Sequence, residues 1–298
     1  MIAPGGFSDT QTEEPQAPDP QAWVGRTETR EGAVTGTLAG MLGATLSHPG
    51  FVLPDLSPGA PLPPLWHWVA FPEFVPMAGL GRDGHPALGR FLPPLPFGRR
   101  MWAGGRLEWR GTLRLGEVLQ RRSEILAITE KDGSTGPMVL VRVGHDLSGR
   151  EGAIREEQEI VYLDIPDRFR APRAIPAPET ASFRETVQLG EARLFRYSAA
   201  TFNAHRIHYD LPYAREIEKY PALVVHGPMQ ATLLIEAACR HAGRLPRRFR
   251  FKGVHPMFHD QDMALIGVAD PGGAAIDLCT AASASGHQCM QARMEWDA

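Results

Sequence analysis

The segment GPMQATLLIEAACRHAG, residues 227–243, most limits what this chain can fold into. Met229, Leu233, Leu234, Ala237 and Ala238 fall on overlapping i, i+4 rows, which predicts a helix. Pro228 suits its first turn, where a missing N–H is harmless, and Gly243 suits a C-terminal cap. Being mostly apolar and Ala-rich, the helix is expected to be buried. Strand-like runs follow at RRFRFKGVHP, MALIGVAD, AAIDLCTAA and HQCMQARMEW. In the last, Met290, Ala292, Met294 and Trp296 alternate with Gln291, Arg293 and Glu295, giving one buried and one wet face. A long helix wrapped by an antiparallel sheet is an α+β architecture.

The first half carries a similar pattern. A short apolar segment, Thr35 to Leu46, follows a candidate Thr cap. The runs RLEWRG, SEILAITEK, PMVLVRVGH and EEQEIVYLD, separated by turn signals such as KDGSTG and SGREG, predict an antiparallel meander. Between them lies a Pro/Gly-rich stretch, residues 49–101, whose length is typical of loops that cover or serve a site. The Pro-rich, aperiodic segment 164–182 reads as a linker. Residues 1–20, rich in Pro, Gln, Asp and Glu, read as a disordered lead-in. The expected domains are therefore 21–163 and 183–298.

Charge and cysteine usage narrow the function classes. With 31 basic against 34 acidic residues the net charge is -3, which gives no reason to expect nucleic acid or a membrane as partner. Cys239, Cys279 and Cys289 show no CxxC spacing, so neither a disulfide framework nor a thiolate metal site is expected. The N-terminal stretch lacks the basic and apolar regions of a secretory signal, and GTLAGMLGATL is too short to cross a bilayer. A cytoplasmic location is expected.

The densest chemistry is FNAHRIHYD, residues 202–210. His205 and His208 lie three apart, with Asp210 and His226 at hand, but zinc sites on one segment usually take His at i and i+4 on a helix, so no metal is expected. Acid/base chemistry is favoured by a second segment, VVHGPMQ. It puts Gly227 in the first turn of the buried helix, where its N–H has no intrahelical acceptor and can face an oxyanion. Close packing or a tight turn would equally explain a glycine there.

Together, YSAATFNAHRIHYDLPYAREIEKYPALVVHGPMQATLL resembles the active-site segment of the MaoC-like hydratases and dehydratases, proteins of hot-dog fold acting on acyl thioesters. LPPLWHWVAF, LPPLPFGRRMWAGGRLEWRGTLRLGE and EEQEIVYLD resemble the two-hot-dog members, notably mesaconyl-CoA hydratases and mitochondrial-type hydroxyacyl-thioester dehydratases. The resemblance implies a double hot-dog with a degenerate first half and a catalytic second half. It places His208 at the catalytic histidine and Gly227 at the oxyanion glycine. Asn203 stands where the family usually has Asp, and an amide can orient a water but cannot take its proton. Asp210 is expected to fix the loop, and Asp210 or Glu156 could assist His208.

The resemblance further implies an acyl-CoA thioester substrate, no cofactor beyond that CoA, and a homodimer or a monomer with an internal pseudo-dimer. Candidate substrate-binding residues are Arg206, His205, His226, Arg99, Arg100 and Trp102. Arg206 could hold an acyl carboxylate, a CoA phosphate or a surface salt bridge, and Arg99 and Arg100 carry the same readings. Trp66, Trp68 and Trp102 suit core or pocket wall. The expected reaction is hydration of a short branched dicarboxylic enoyl-CoA such as mesaconyl-C4-CoA. A 3-hydroxyacyl-ACP dehydratase and a non-catalytic acyl-thioester binding protein are the alternatives.

Overall fold

The computed structural model of the protein describes residues 19–133 and 136–296. Residues 1–18 of the expected lead-in lie outside the described residues, whereas Asp19 caps a 3-10 turn at Pro20–Trp23.

Among the described residues ten strands form one sheet. In chain order they are β1 (Thr27–Gly32), β2 (Arg99–Gly111), β3 (Leu119–Gly133), β4 (Gly136–Ser148), β5 (Gly152–Leu163), β6 (Phe183–Val187), β7 (Arg248–Gly253), β8 (Met263–Ala269), β9 (Ala275–Ala282) and β10 (Gln288–Glu295). Their spatial order is β1-β3-β4-β5-β2-β7-β10-β9-β8-β6. Read outward from the middle, both halves run through the same succession of strands, β2-β5-β4-β3-β1 and β7-β10-β9-β8-β6. The seam is the antiparallel pairing of β2 with β7, from Gly104 opposite Lys252 to Glu108 opposite Arg248. Two glycines permit it: a Cβ at Gly104 would lie 2.6 Å from Phe251 O, and one at Gly105 would lie 2.7 Å from the Phe251 ring.

One helix in the second half lies against β8, β9 and β10, and one in the first half packs on a further helix and on the turn at Trp66–Val69. α1 (Gly36–Leu46) starts at Thr35, whose hydroxyl accepts the Leu38 N–H at 3.2 Å. An additional helix, α2 (Glu191–Thr201), precedes the site. α3 (Gly227–Ala242) has Pro228 in its first turn and ends at Gly243 in the left-handed conformation, φ 66°. Its run from Met229 to Ile235 is wholly buried, and its side chains share one core with those of α1 and both half-sheets.

The long stretch between α1 and β2 holds two 3-10 turns, Trp66–Val69 and Met77–Gly79, and otherwise runs as loop. It carries Trp66 into the core and presses residues near Asp83 against the His-rich segment, where Arg206 N–H donates to Asp83 O at 2.9 Å. Gly84, φ 88°, faces the Ala204 carbonyl too closely for any side chain. Residues 164–182 connect β5 to β6 with no helix or strand, touching the sheet through a bridge from Pro176 to His287.

Candidate active site

α2 ends at Phe202, a non-glycine residue in the left-handed region at φ 52°, and the chain turns sharply there. Asn203 holds the turn: its Oδ1 accepts the His205 N–H at 2.9 Å, and its own N–H donates to Ser198 O at 2.8 Å. The side-chain carbonyl is thus committed to the backbone, and the amide NH2 is the group left to meet a water.

A 3-10 turn, Arg206–His208, then delivers His208. Its Nδ1 lies 2.7 Å from Val224 O. A carbonyl only accepts, so Nδ1 carries the proton and Nε2 the free lone pair. The ring is buried, stacks on His226 at 3.6 Å between centroids and meets the edge of His205 at 5.4 Å. Burial, and then the neighbouring His205, push its pKa down to about 3 against the opposing Val224 bond. The imidazole is neutral at physiological pH, as a proton acceptor must be.

His226 is the N-cap of α3, so its stack on His208 sets that ring beside the helix start. Its Nε2 lies 2.9 Å from Ser198 Oγ, and its buried Nδ1 has no hydrogen-bond partner. Burial, and then the neighbouring His208 and His205, hold its pKa well below the usual value. Gly227 opens the helix, and its N–H belongs to the first turn, which has no intrahelical acceptors. A Cβ here would lie 2.8 Å from Cε3 of Trp102, so the indole from β2 closes directly over the glycine.

The arginines are differently engaged. Arg206 gives Nε and Nη2 to Asp210 Oδ2 at 2.9 and 2.7 Å and lies 4.1 Å over the Tyr213 ring. Asp210 also accepts the Tyr213 N–H at 3.0 Å, so this pair fixes the loop. Arg99, buried, donates Nε to Glu218 Oε2 at 2.7 Å and Nη2 to the Glu218 carbonyl. Burial raises the pKa of Glu218, and Arg99 opposes it. Arg100 donates Nη2 to Pro86 O at 3.1 Å, and its buried Nε, 3.5 Å from Asp83 Oδ2, has no hydrogen bond.

His205 is buried with Nε2 unpartnered, 3.8 Å from Glu218 Oε1, and packs on His85 at 4.2 Å. Burial lowers its pKa to about 4. Asp83, His85 and His205 bring possible metal-ligating atoms within 4.8 Å of one another, as do His255, His287 and Cys289. After burial, Asp83 acts on His205 to raise its pKa, and Arg100 and Arg99 act to lower it. Glu156 does not join His208 through any hydrogen bond among the described residues. Its carboxylate binds His67, Trp68 and Gln158 in the first half. Asp83, His85 and Gln158 escape sequence reasoning because loops and neighbouring strands, with no local signal, bring them in.

Two helix-bearing half-sheets joined edge to edge, with a neutral imidazole beside the start of one helix, define a double hot-dog protein. A Mycobacterium tuberculosis protein described as having a double hotdog fold superposes with a TM-score of 0.58 at 14% identity, covering 91% of this chain and 95% of that one. A MaoC-like dehydratase superposes at 0.68 with 14% identity, covering 94% and 100%. The family model for hydroxyacyl-thioester dehydratase type 2 matches residues 65–259, and the chain belongs to that family. It is 43% identical over 263 residues to the mesaconyl-C(4)-CoA hydratase of Chloroflexus aurantiacus, covering 87% of this chain and 92% of that protein.

Proposed function

We propose that this protein adds water across the double bond of an enoyl-CoA thioester, with the C4 thioester of mesaconate as substrate and citramalyl-CoA as product. The observation that carries the reaction is the His208 ring, held by Val224 O with Nε2 free, beside the first turn of α3. The choice of acyl group rests on the 43% identity to the Chloroflexus enzyme.

In the proposed reaction Nε2 of His208 accepts a proton from water as the water oxygen bonds to the β-carbon. The π electrons move onto the thioester oxygen, making an enolate that the Gly227 N–H stabilises. The imidazolium then returns its proton to the α-carbon. Its low pKa in this buried stack makes it a strong acid for that second step. Asn203, through its amide NH2, orients the water. The sequence needs no cofactor beyond the CoA of the substrate, and one chain supplies both halves of the site. A cytoplasmic location completes the proposal; no helix among the described residues is long and apolar enough to cross a membrane.

The family description favours the reverse direction as a second reading, removal of water from a hydroxyacyl thioester. Following enoyl-thioester absorbance with mesaconyl-C4-, crotonyl- and long-chain enoyl-CoA tests both. Preference for the mesaconyl thioester supports the first, and preference for long chains supports the second.

A further inference from the structure

The first half contains a buried carboxylate that the mechanism above does not use. Glu156 on β5 is 2% exposed, yet it is ionised. Burial alone would raise its pKa, but the hydrogen bond with His67 and the other contacts bring it down to about 2. Its Oε2 lies 3.0 Å from His67 Nε2, and its Oε1 accepts Trp68 Nε1–H at 2.8 Å and Gln158 Nε2–H at 2.6 Å. A charge so deep in a protein is costly unless every lone pair is met, and here donors from three residues meet it.

The bonds lead to the seam. Gln158, oriented by giving its NH2 to Glu156, turns its Oε1 to accept Trp102 Nε1–H at 3.2 Å. Trp68, the other indole held by Glu156, meets Trp102 edge-on at 5.5 Å and 87°. Trp102 stacks on Phe251 of β7 at 4.5 Å and lies over Gly227. Both polar edges of this aromatic pair are therefore tied, directly or through one amide, to a single carboxylate in the first half of the molecule, facing Gly227 of the second.

We infer that Glu156 is a positioning residue for the reaction: through Gln158 and Trp68 it fixes the Trp102 wall against which the thioester carbonyl meets the Gly227 N–H. The inference rests on the reading of Gly227 as oxyanion donor. It gives the degenerate half a role, since a wall aligned by a rigid hydrogen-bonded anchor keeps the oxyanion donor in register without reorganisation. An alignment that matters in the transition state appears in kcat more than in KM.

The test uses the full chain carrying Gln158→Leu, Trp102→Phe or both, with Glu156→Gln as a further variant. Gln158→Leu leaves the bonds of Glu156 to His67 and Trp68 in place, so it keeps the measurement interpretable if Glu156→Gln folds poorly. Gln158→Leu should lower kcat about tenfold, with KM changed less than about threefold. Trp102→Phe keeps an aromatic wall but loses the N–H, so adding Gln158→Leu to it should lower kcat no further. Additive losses, or an unchanged kcat in Gln158→Leu, overturn the inference. Near-ultraviolet circular dichroism reads the relay without turnover: Gln158→Leu should alter the tryptophan bands of the wild type but not those of Trp102→Phe. No change in either background refutes the relay, whereas an inactive wild type with the expected spectra refutes the hydratase reading instead.

Discussion

Nδ1 of His208 lies 2.7 Å from the carbonyl oxygen of Val224, and this contact decides which nitrogen of the ring is free for the proposed chemistry. The tautomer it enforces leaves Nε2 as the acceptor, in a stack with His226 at the head of α3. Replacing His208 with Ala should lower turnover by about two to four orders of magnitude, the usual worth of a positioned acid/base. His205→Ala removes a ring that touches His208 only at its edge and should cost much less. Steady-state rates on one enoyl thioester compare the two, and equal losses would contradict the assignment.

The burial of His208 also sets a pH dependence. Its folded pKa, about 3, is depressed below the ordinary 6.5. Its contribution to stability is therefore complete above 6.5 and is lost as pH falls toward 3, because the unfolded chain takes up a proton that the folded ring refuses. His208→Asn removes that term. Its melting temperature should fall less steeply than that of the wild type between pH 6.5 and 4, and parallel curves would contradict the burial argument.

Gly227→Ala places a Cβ 2.8 Å from the Trp102 ring. The indole is held by Gln158 and Phe251, so the first turn of α3 has to move instead. A shifted N–H should lower kcat at least about tenfold, approaching the hundredfold loss typical when an oxyanion donor is removed. Wild-type kcat in this variant would show that Gly227 serves packing alone.

Asn203→Asp keeps the oxygen that accepts the His205 N–H, so the turn should survive. A carboxylate introduced here raises the pKa of the nearby histidine and should bring an acid limb of kcat/KM into the range above pH 5. Asn203→Leu has no acceptor for that N–H and should lose most of the rate together with some stability. A pH profile of Asn203→Asp superposing on the wild type would exclude a side chain close to the base.

The elements carrying periodic patterns were legible from the chain. Met229 to Ala238 marked α3 through i+4 rows, and Met290 to Trp296 marked β10 through alternation, because both faces of each element are decided locally. α2 was not anticipated, since EARLFRYSAAT mixes polar and apolar residues and ends without a glycine at Phe202. β1 and β6 escaped notice because TETREG and FRETV are short edge strands with little to bury. In the candidate site, the family resemblance pointed to His208 and Gly227, but the contacts of Trp102 with Gln158, of Trp68 with Glu156 and of His85 with His205 depend on pairings across tens of residues. Arg206 illustrates the same limit: its sequence context left several partners open, and only the fold shows Nε and Nη2 on Asp210 and Nη1 on the Arg82 carbonyl.

The central claim is that His208 is a neutral base acting on a water held against an enoyl thioester. Single-turnover hydration of mesaconyl-C4-CoA, followed by loss of enoyl absorbance, should be complete in the wild type and about a hundredfold or more slower in His208→Asn, while thioester binding measured by calorimetry is unchanged. Hydration by His208→Asn at the wild-type rate, or no hydration of any enoyl thioester by the wild type, would contradict it.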